Sequence, residues 1–223
     1  MKQIVNIKPA LALILLALAL PARAGVFITE VAAWSSGNSP LAADWFEVTN
    51  TGASAVNITG WKMDDNSNSF ANAVALNGIT SIAAGESVIF VESSTNVSSA
   101  FKSLWFGANP PSSLQVGYYS GSGVGLSTTA DAVNLYNSTG TLQANVSFNA
   151  SPSGLFPTFD NAADLNNAVI STLSVVGVNG AFKAANDVNE IGSPGMVPEP
   201  ATFVTLALGL AALLGFTRRS RRS

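Results

Sequence analysis

From Val26 to Phe148 the chain is a succession of short apolar runs, each closed by a cluster of Gly, Asn, Ser or Pro. Runs of this length parted by turn formers make strands and tight connections. The pattern predicts strands at Val26–Val31, Asp44–Asn50, Val56–Met63, Ser87–Glu92, Gln115–Tyr118, Ala132–Tyr136 and Leu142–Phe148. Successive side chains of a strand point to opposite faces. Phe46 and Val48 therefore share a face that Glu47 and Thr49 do not, and Trp61 and Met63 point away from Lys62. Val88-Ile89-Phe90-Val91 is apolar on both faces, the mark of a central strand. Asn137-Ser138-Thr139-Gly140 predicts a four-residue hairpin turn. One short helix is expected at Val97–Trp105, where Phe101, Leu104 and Trp105 fall on one side. About seven short strands in roughly 120 residues favour an all-β, immunoglobulin-like sandwich, with a small barrel as the alternative.

The two ends are built differently. Lys2 and Lys8 lead into the apolar run Ala10–Leu20, then Pro21 and Ala22-Arg23-Ala24. A basic start, a short apolar segment and A-x-A form a secretory signal peptide, residues 1–24, cut after Ala24 to leave Gly25 first. The run is too short to span a bilayer of about 30 Å; an uncleaved anchor is the alternative. At the other end, ATFVTLALGLAALLGF precedes Thr217 and the cluster Arg218, Arg219, Arg221 and Arg222. This predicts a transmembrane helix over about 201–217, with the arginines held in the cytoplasm. Just before it stands Val197-Pro198-Glu199-Pro200, where the prolines hold Glu199 extended.

With the ends set aside, residues 25–200 hold three lysines against thirteen acids, a net charge of −10. So acidic a body argues against a nucleic-acid partner. The chain has no cysteine and no histidine. That excludes disulfides, thiolate nucleophiles, a Ser-His-Asp triad and the usual zinc ligands.

The C-terminal residues carry a resemblance. Val197-Pro198-Glu199-Pro200, a short apolar helix and a terminal arginine cluster, in that order over 197–223, resemble the PEP-CTERM sorting signal. The resemblance implies recognition by an exosortase, a membrane-embedded protease or transpeptidase of Gram-negative bacteria. It further implies a final place on the cell surface or in an exopolysaccharide matrix. The body carries a second resemblance. Val26-Phe27-Ile28-Thr29-Glu30-Val31, Asp44-Trp45-Phe46-Glu47-Val48-Thr49-Asn50 and Val56-Asn57-Ile58-Thr59-Gly60-Trp61-Lys62-Met63 are similar to a bacterial lamin tail domain. Ile82–Phe90, Gly125-Leu126-Ser127 and Asp131–Tyr136 continue it in order. That family implies an immunoglobulin-like sandwich with a scaffolding or adhesive role. The expected organisation is a sandwich over 25–148, a domain finish and linker over 149–196, and the sorting signal over 197–223. Val175–Phe182 is read as one more strand and turn, and Glu190–Gly195 as the close of the domain.

Candidate chemistry is sparse. Asp64-Asp65-Asn66-Ser67-Asn68 spaces oxygen ligands as calcium loops do, but Ser69 and Ala75 stand where an EF-hand needs Gly and Glu. Asp160 with Asp164 is a weaker pair of the same kind. Glu30 and Glu47, on neighbouring strands, would suit glycosidase chemistry if a cleft lay between them. Trp34, Tyr118 and Tyr119 would stack on sugars if exposed. A polar loop between strands explains Asp64–Asn68, and strand alternation and core or edge packing explain the glutamates and the aromatics, without a ligand. No catalytic, metal or cofactor residue is therefore expected, and the chain is read as non-enzymatic. The expected route is export through the Sec machinery, an inner-membrane intermediate held by the C-terminal helix, then exosortase processing. The expected role is structural or adhesive, toward envelope proteins or exopolysaccharide. A carbohydrate- or calcium-dependent binding module is the alternative.

Overall fold

The computed structural model describes residues 25–34, 41, 43–152, 156–162, 165 and 169–197. The signal stretch, the apolar helix expected over 201–217 and the arginine cluster lie outside the described residues. Among the described residues no helix is long and apolar enough to cross a membrane.

In chain order the first half holds β1 (Val26–Ala32), β2 (Trp45–Asn50), β3 (Val56–Asn57), β4 (Lys62–Asp64), β5 (Val74–Ala75), β6 (Ser81–Ile82) and β7 (Glu86–Glu92). Then come helix α1 (Ser98–Phe106), β8 (Gln115–Tyr119), β9 (Asp131–Tyr136) and β10 (Leu142–Phe148). The remainder adds β11 (Phe156–Pro157), β12 (Phe159–Asp160), β13 (Val169–Ile170), β14 (Phe182–Ala184) and β15 (Asp187–Gly192). Two five-stranded sheets form, in the orders β12-β1-β2-β7-β8 and β13-β10-β9-β4-β5. A small sheet β11-β15-β14 and the pair β3-β6 complete the body.

The two large sheets share one core. Ile28, Phe46, Val48, Val88 and Phe90 of the first meet Met63, Val133, Leu135, Val146 and Phe148 of the second, with Trp61 beside them. This is the face that alternation assigned to Phe46, Val48, Trp61 and Met63. The hairpin at Asn137 forms as predicted. The Asn137 side-chain carbonyl accepts the Thr139 and Thr141 amides at 3.0 and 2.9 Å, and Gly140 takes φ +84°.

The opposite face of the first sheet is covered too. Ala32, Trp45, Ile89, Val91 and Val116 pack under Phe101, Leu104 and Trp105 of α1 and under Ala184. Trp45 stands edge-on to Trp34, Phe101 and Trp105 at 5.5–6.2 Å between centroids. Every residue of β2 is consequently buried, although its sequence alternates.

Two expectations need correction. The strand predicted over Val56–Met63 is two strands, β3 and β4, in different sheets. A turn closed by the Trp61 amide on the Ile58 carbonyl separates them, with Gly60 at φ +75°; a left-handed residue ends a strand at little cost only when it is glycine. The strand expected within Val175–Phe182 is a turn, with Asn179 at φ +48° and Gly180 at φ +80°, and pairing begins only at Phe182. The described part of 149–196 also does more than finish a domain. β12 extends the first sheet through Glu30↔Asp160 and Val31↔Phe159. β13 extends the second through Phe148↔Ile170. Two-residue strands carry no readable periodicity; partners distant in sequence make them.

Candidate functional site

The polar half of the covered face holds the carboxylate pair picked out from sequence. β1 and β2 are antiparallel, with a register shift between Ile28 and Glu30. The extra residue turns both Thr29 and Glu30 to the outer face. Glu30 lies directly opposite Glu47, and both are buried, each 1% exposed. The segment after β15 closes over them. Glu30 Oε1 accepts the Ser193 amide at 2.7 Å and the Thr158 hydroxyl, and Oε2 accepts the Ser193 hydroxyl at 3.3 Å. Glu47 Oε2 accepts the Gly195 amide at 2.6 Å. Only glycine permits that approach at 192, where a Cβ would lie 2.6 Å from Glu30 Oε1.

A row of hydroxyls continues from Glu47. Thr29 Oγ1 lies 2.6 Å from Glu47 Oε1 and 2.9 Å from Thr49 Oγ1, which lies 2.6 Å from Ser87 Oγ. Ser87 donates to the Met196 carbonyl at 3.3 Å. Burial pushes the Glu30 carboxyl up to about 7. Burial, and then the neighbouring Glu30 charge, hold Glu47 well above the carboxylate range. A glycosidase pair needs a sugar between its carboxyls; this pair sits under Ser193–Gly195, bonded to main chain. Sequence reasoning found the two glutamates but not the segment that caps them. The signal was present in Thr29, Thr49 and Ser87, polar residues on strand positions that share the glutamates' face.

The oxygen-rich loop after β4 is bonded to itself. Asp64 Oδ2 accepts the Ser67 hydroxyl at 2.8 Å and the Ser69 amide at 2.6 Å, and Asp65 Oδ1 accepts the Ser67 amide at 2.9 Å. Asp131 fixes the loop from β9 by accepting the Asn66 amide at 3.0 Å. Among the described residues no group of three or more His, Cys, Asp or Glu is placed to hold a metal ion. Asp160 is buried in β12 and accepts the Asn179 side-chain amide at 2.8 Å; Asp164 lies outside the described residues. Trp34 and Tyr119 are buried, so neither is a stacking platform.

An open cleft of about 430 Å³ lies where β3 passes the 137–141 turn. Asn57, Thr59, Asn137, Ser138 and Gln143 line it around Trp61. None of these side chains is charged. The sequence did not mark the cleft, because its walls come from segments some 80 residues apart.

Of the terminal residues, Gly25 and Val197 are described. The Gly25 amide donates to Thr51 Oγ1 at 3.2 Å, and Val197, the last described residue, is exposed. Ala22, Ala24, Pro198, Glu199, Pro200 and the four arginines lie outside the described residues.

Among the described residues, two stacked sheets, the helix α1 and an exposed end at Val197 define a β-rich module, and the sequence then runs into Pro-Glu-Pro. A family model for the Lamin Tail Domain matches residues 20–150, more than half the chain, and the chain belongs to that family. The β-rich fold is consistent with the family's immunoglobulin-like sandwich. A model for the PEP-CTERM protein-sorting motif matches residues 197–222. That motif is recognised by exosortase, a membrane protease, and implies export to a cell-surface or extracellular place in bacteria. No curated protein and no solved structure gives a significant match.

Proposed function

We propose that this chain is a non-enzymatic surface module of a Gram-negative bacterium. Its signal peptide directs it through the Sec machinery, and its C-terminal helix holds it in the inner membrane as an intermediate. Exosortase processing at Val197-Pro198-Glu199-Pro200 then passes it to the surface or exopolysaccharide matrix. There the immunoglobulin-like sandwich serves a structural or adhesive role toward envelope proteins or polysaccharide. The observation that carries the reading is the sorting motif matched at 197–222, C-terminal to a lamin tail domain matched at 20–150. The burial of Glu30 and Glu47 under Ser193–Gly195 supports a role without catalysis.

Replacing Pro198, Glu199 and Pro200 with alanine tests it, by fractionation and immunoblotting in a host with an exosortase. Wild type is expected at the surface, and the triple variant as full-length mature chain in the inner membrane. Equal release of both would reduce the tail to an anchor.

A second reading is favoured by the cleft around Trp61. Its neutral amides and hydroxyls suit an uncharged, hydroxyl-rich ligand such as a neutral saccharide. Calorimetry of wild type and Gln143→Ala against the host's exopolysaccharide tests it; identical heats for the two would remove the cleft from consideration.

A further inference from the structure

The chain reaches the sorting motif without slack. Ser193, Gly195 and Met196 are each hydrogen-bonded to the body, and Pro198 is two residues beyond the last of them. Two extended residues reach about 7 Å. The clamp is made from Glu30 and Glu47, side chains that neither the sorting motif nor the shared core explains.

The hydroxyl row has a place for a proton on this clamp. Four contacts run from Glu47 Oε1 through Thr29, Thr49 and Ser87 to the Met196 carbonyl. Three hydroxyls supply three protons, and each donates one hydrogen bond. The fourth contact is a hydrogen bond only if the Glu47 carboxyl carries a proton and donates it to Thr29. Thr29 then donates to Thr49, Thr49 to Ser87, and Ser87 to Met196. The acid's other oxygen stays free to accept from Gly195. Glu30 opposite, buried as it is, favours the neutral form of its neighbour.

We propose that Glu30 and a protonated Glu47 are positioning residues for sorting: they clamp Ser193–Met196 to the folded domain, so Pro198 is separated from the clamped segment by Val197 alone and processing is restrained. This rests on the reading of 197–222 as an exosortase substrate. A protease holds extended chain on both sides of the bond it cuts. Here the upstream side is hydrogen-bonded into the domain, and only Val197 is free.

Glutamine is the isostere of the protonated acid, since its amide donates to Thr29 and its carbonyl accepts from Gly195. Glu47→Gln should keep the clamp and Glu47→Ala should lose it. The first measurement is amide hydrogen exchange of the full chain in detergent. The expected result is protection of the Ser193, Gly195 and Met196 amides in wild type and Glu47→Gln, and exchange at least about tenfold faster there in Glu47→Ala, with β7 and β9 unchanged. Equal exchange of these amides in wild type and Glu47→Ala would overturn the clamp. Should Glu47→Ala fail to fold, Gly195→Ala releases the segment from the chain side. Its Cβ would lie 2.9 Å from Leu114 at φ +80°.

The second measurement is the rate of precursor loss in a host with an exosortase. Glu47→Ala should be processed at least about twice as fast as wild type, and Glu47→Gln at the wild-type rate. Equal rates for all three would overturn the link to sorting. Failure of every chain to be processed would sink the sorting reading instead, and the exchange measurement would still decide the clamp.

Discussion

The two faces of the first sheet are both buried, and they are buried in different ways. On the inner face Ile28, Phe46, Val48, Val88 and Phe90 meet Met63, Val133, Leu135, Val146 and Phe148 of the second sheet in an apolar cluster. On the outer face Trp45, Ile89 and Val91 sit under α1, while Thr29, Glu30, Glu47, Thr49 and Ser87 sit under the C-terminal segment. Apolar burial is non-directional and tolerates small shifts. A buried carboxyl is tolerated only when its oxygens find partners. The inner face therefore supplies stability, and the polar half of the outer face fixes where one particular segment lies.

That contrast sets an order of expected effects. Phe46 is fully buried and stacks on Phe90 at 5.6 Å. Phe46→Ala should cost about 3–5 kcal/mol, read from denaturant unfolding of the full chain in detergent. A loss below about 1 kcal/mol would mean that the inner face is not where the stability resides.

The outer face should show itself through pH. Glu30 is raised from 4.5 to about 7 and Glu47 is raised as well, so between those pH values the folded chain keeps protons that the unfolded chain has released. Stability is then full below about 4.5 and falls as pH rises toward 7. The expected loss is on the order of 1–3 kcal/mol, and Glu30→Gln with Glu47→Gln should flatten it. Stability that climbs from pH 5 to pH 8 in wild type would show that the carboxyls are ionised in the fold.

Smaller effects sharpen the boundary of the polar half. Ser87→Ala removes the hydroxyl between Thr49 and Met196, at about 1 kcal/mol, and should speed amide exchange at Gly195 and Met196 more than in β7. Uniform acceleration would make Ser87 an ordinary core residue. Gln143→Ala, on an exposed polar residue of the cleft, should change stability by less than about 0.5 kcal/mol. A larger loss would place Gln143 among the structural side chains.

Much of this was legible from residues. Strand alternation placed Phe46, Val48, Trp61 and Met63 in the shared core, and β10 has the bounds predicted for it. Phe101, Leu104 and Trp105 do face inward from α1. The Asn137–Gly140 turn is local chemistry, and so was readable. The sorting sequence is a linear signal, carried by composition and order, and it too was readable.

Position in the layers was not. Glu47 and Thr49 read as the polar side of a half-exposed strand, and the alternation is real, but α1 and the segment after β15 cover that side. Nothing local to β2 could announce this, because the covering atoms are some 50 to 150 residues away. The same reason hid β12 and β13, whose two residues each become strands only against β1 and β10. By itself the sequence determined the longer strands, the turn, the C-terminal sorting sequence, and the absence of cysteine and histidine chemistry, all of which depend on neighbours in the chain. Tertiary structure alone decided that two glutamates would meet, that they would be buried, and that they would bond the chain at Ser193 and Gly195. Burial and hydrogen-bond partnership are properties of whatever packs on top, and here that arrives from the other end of the domain.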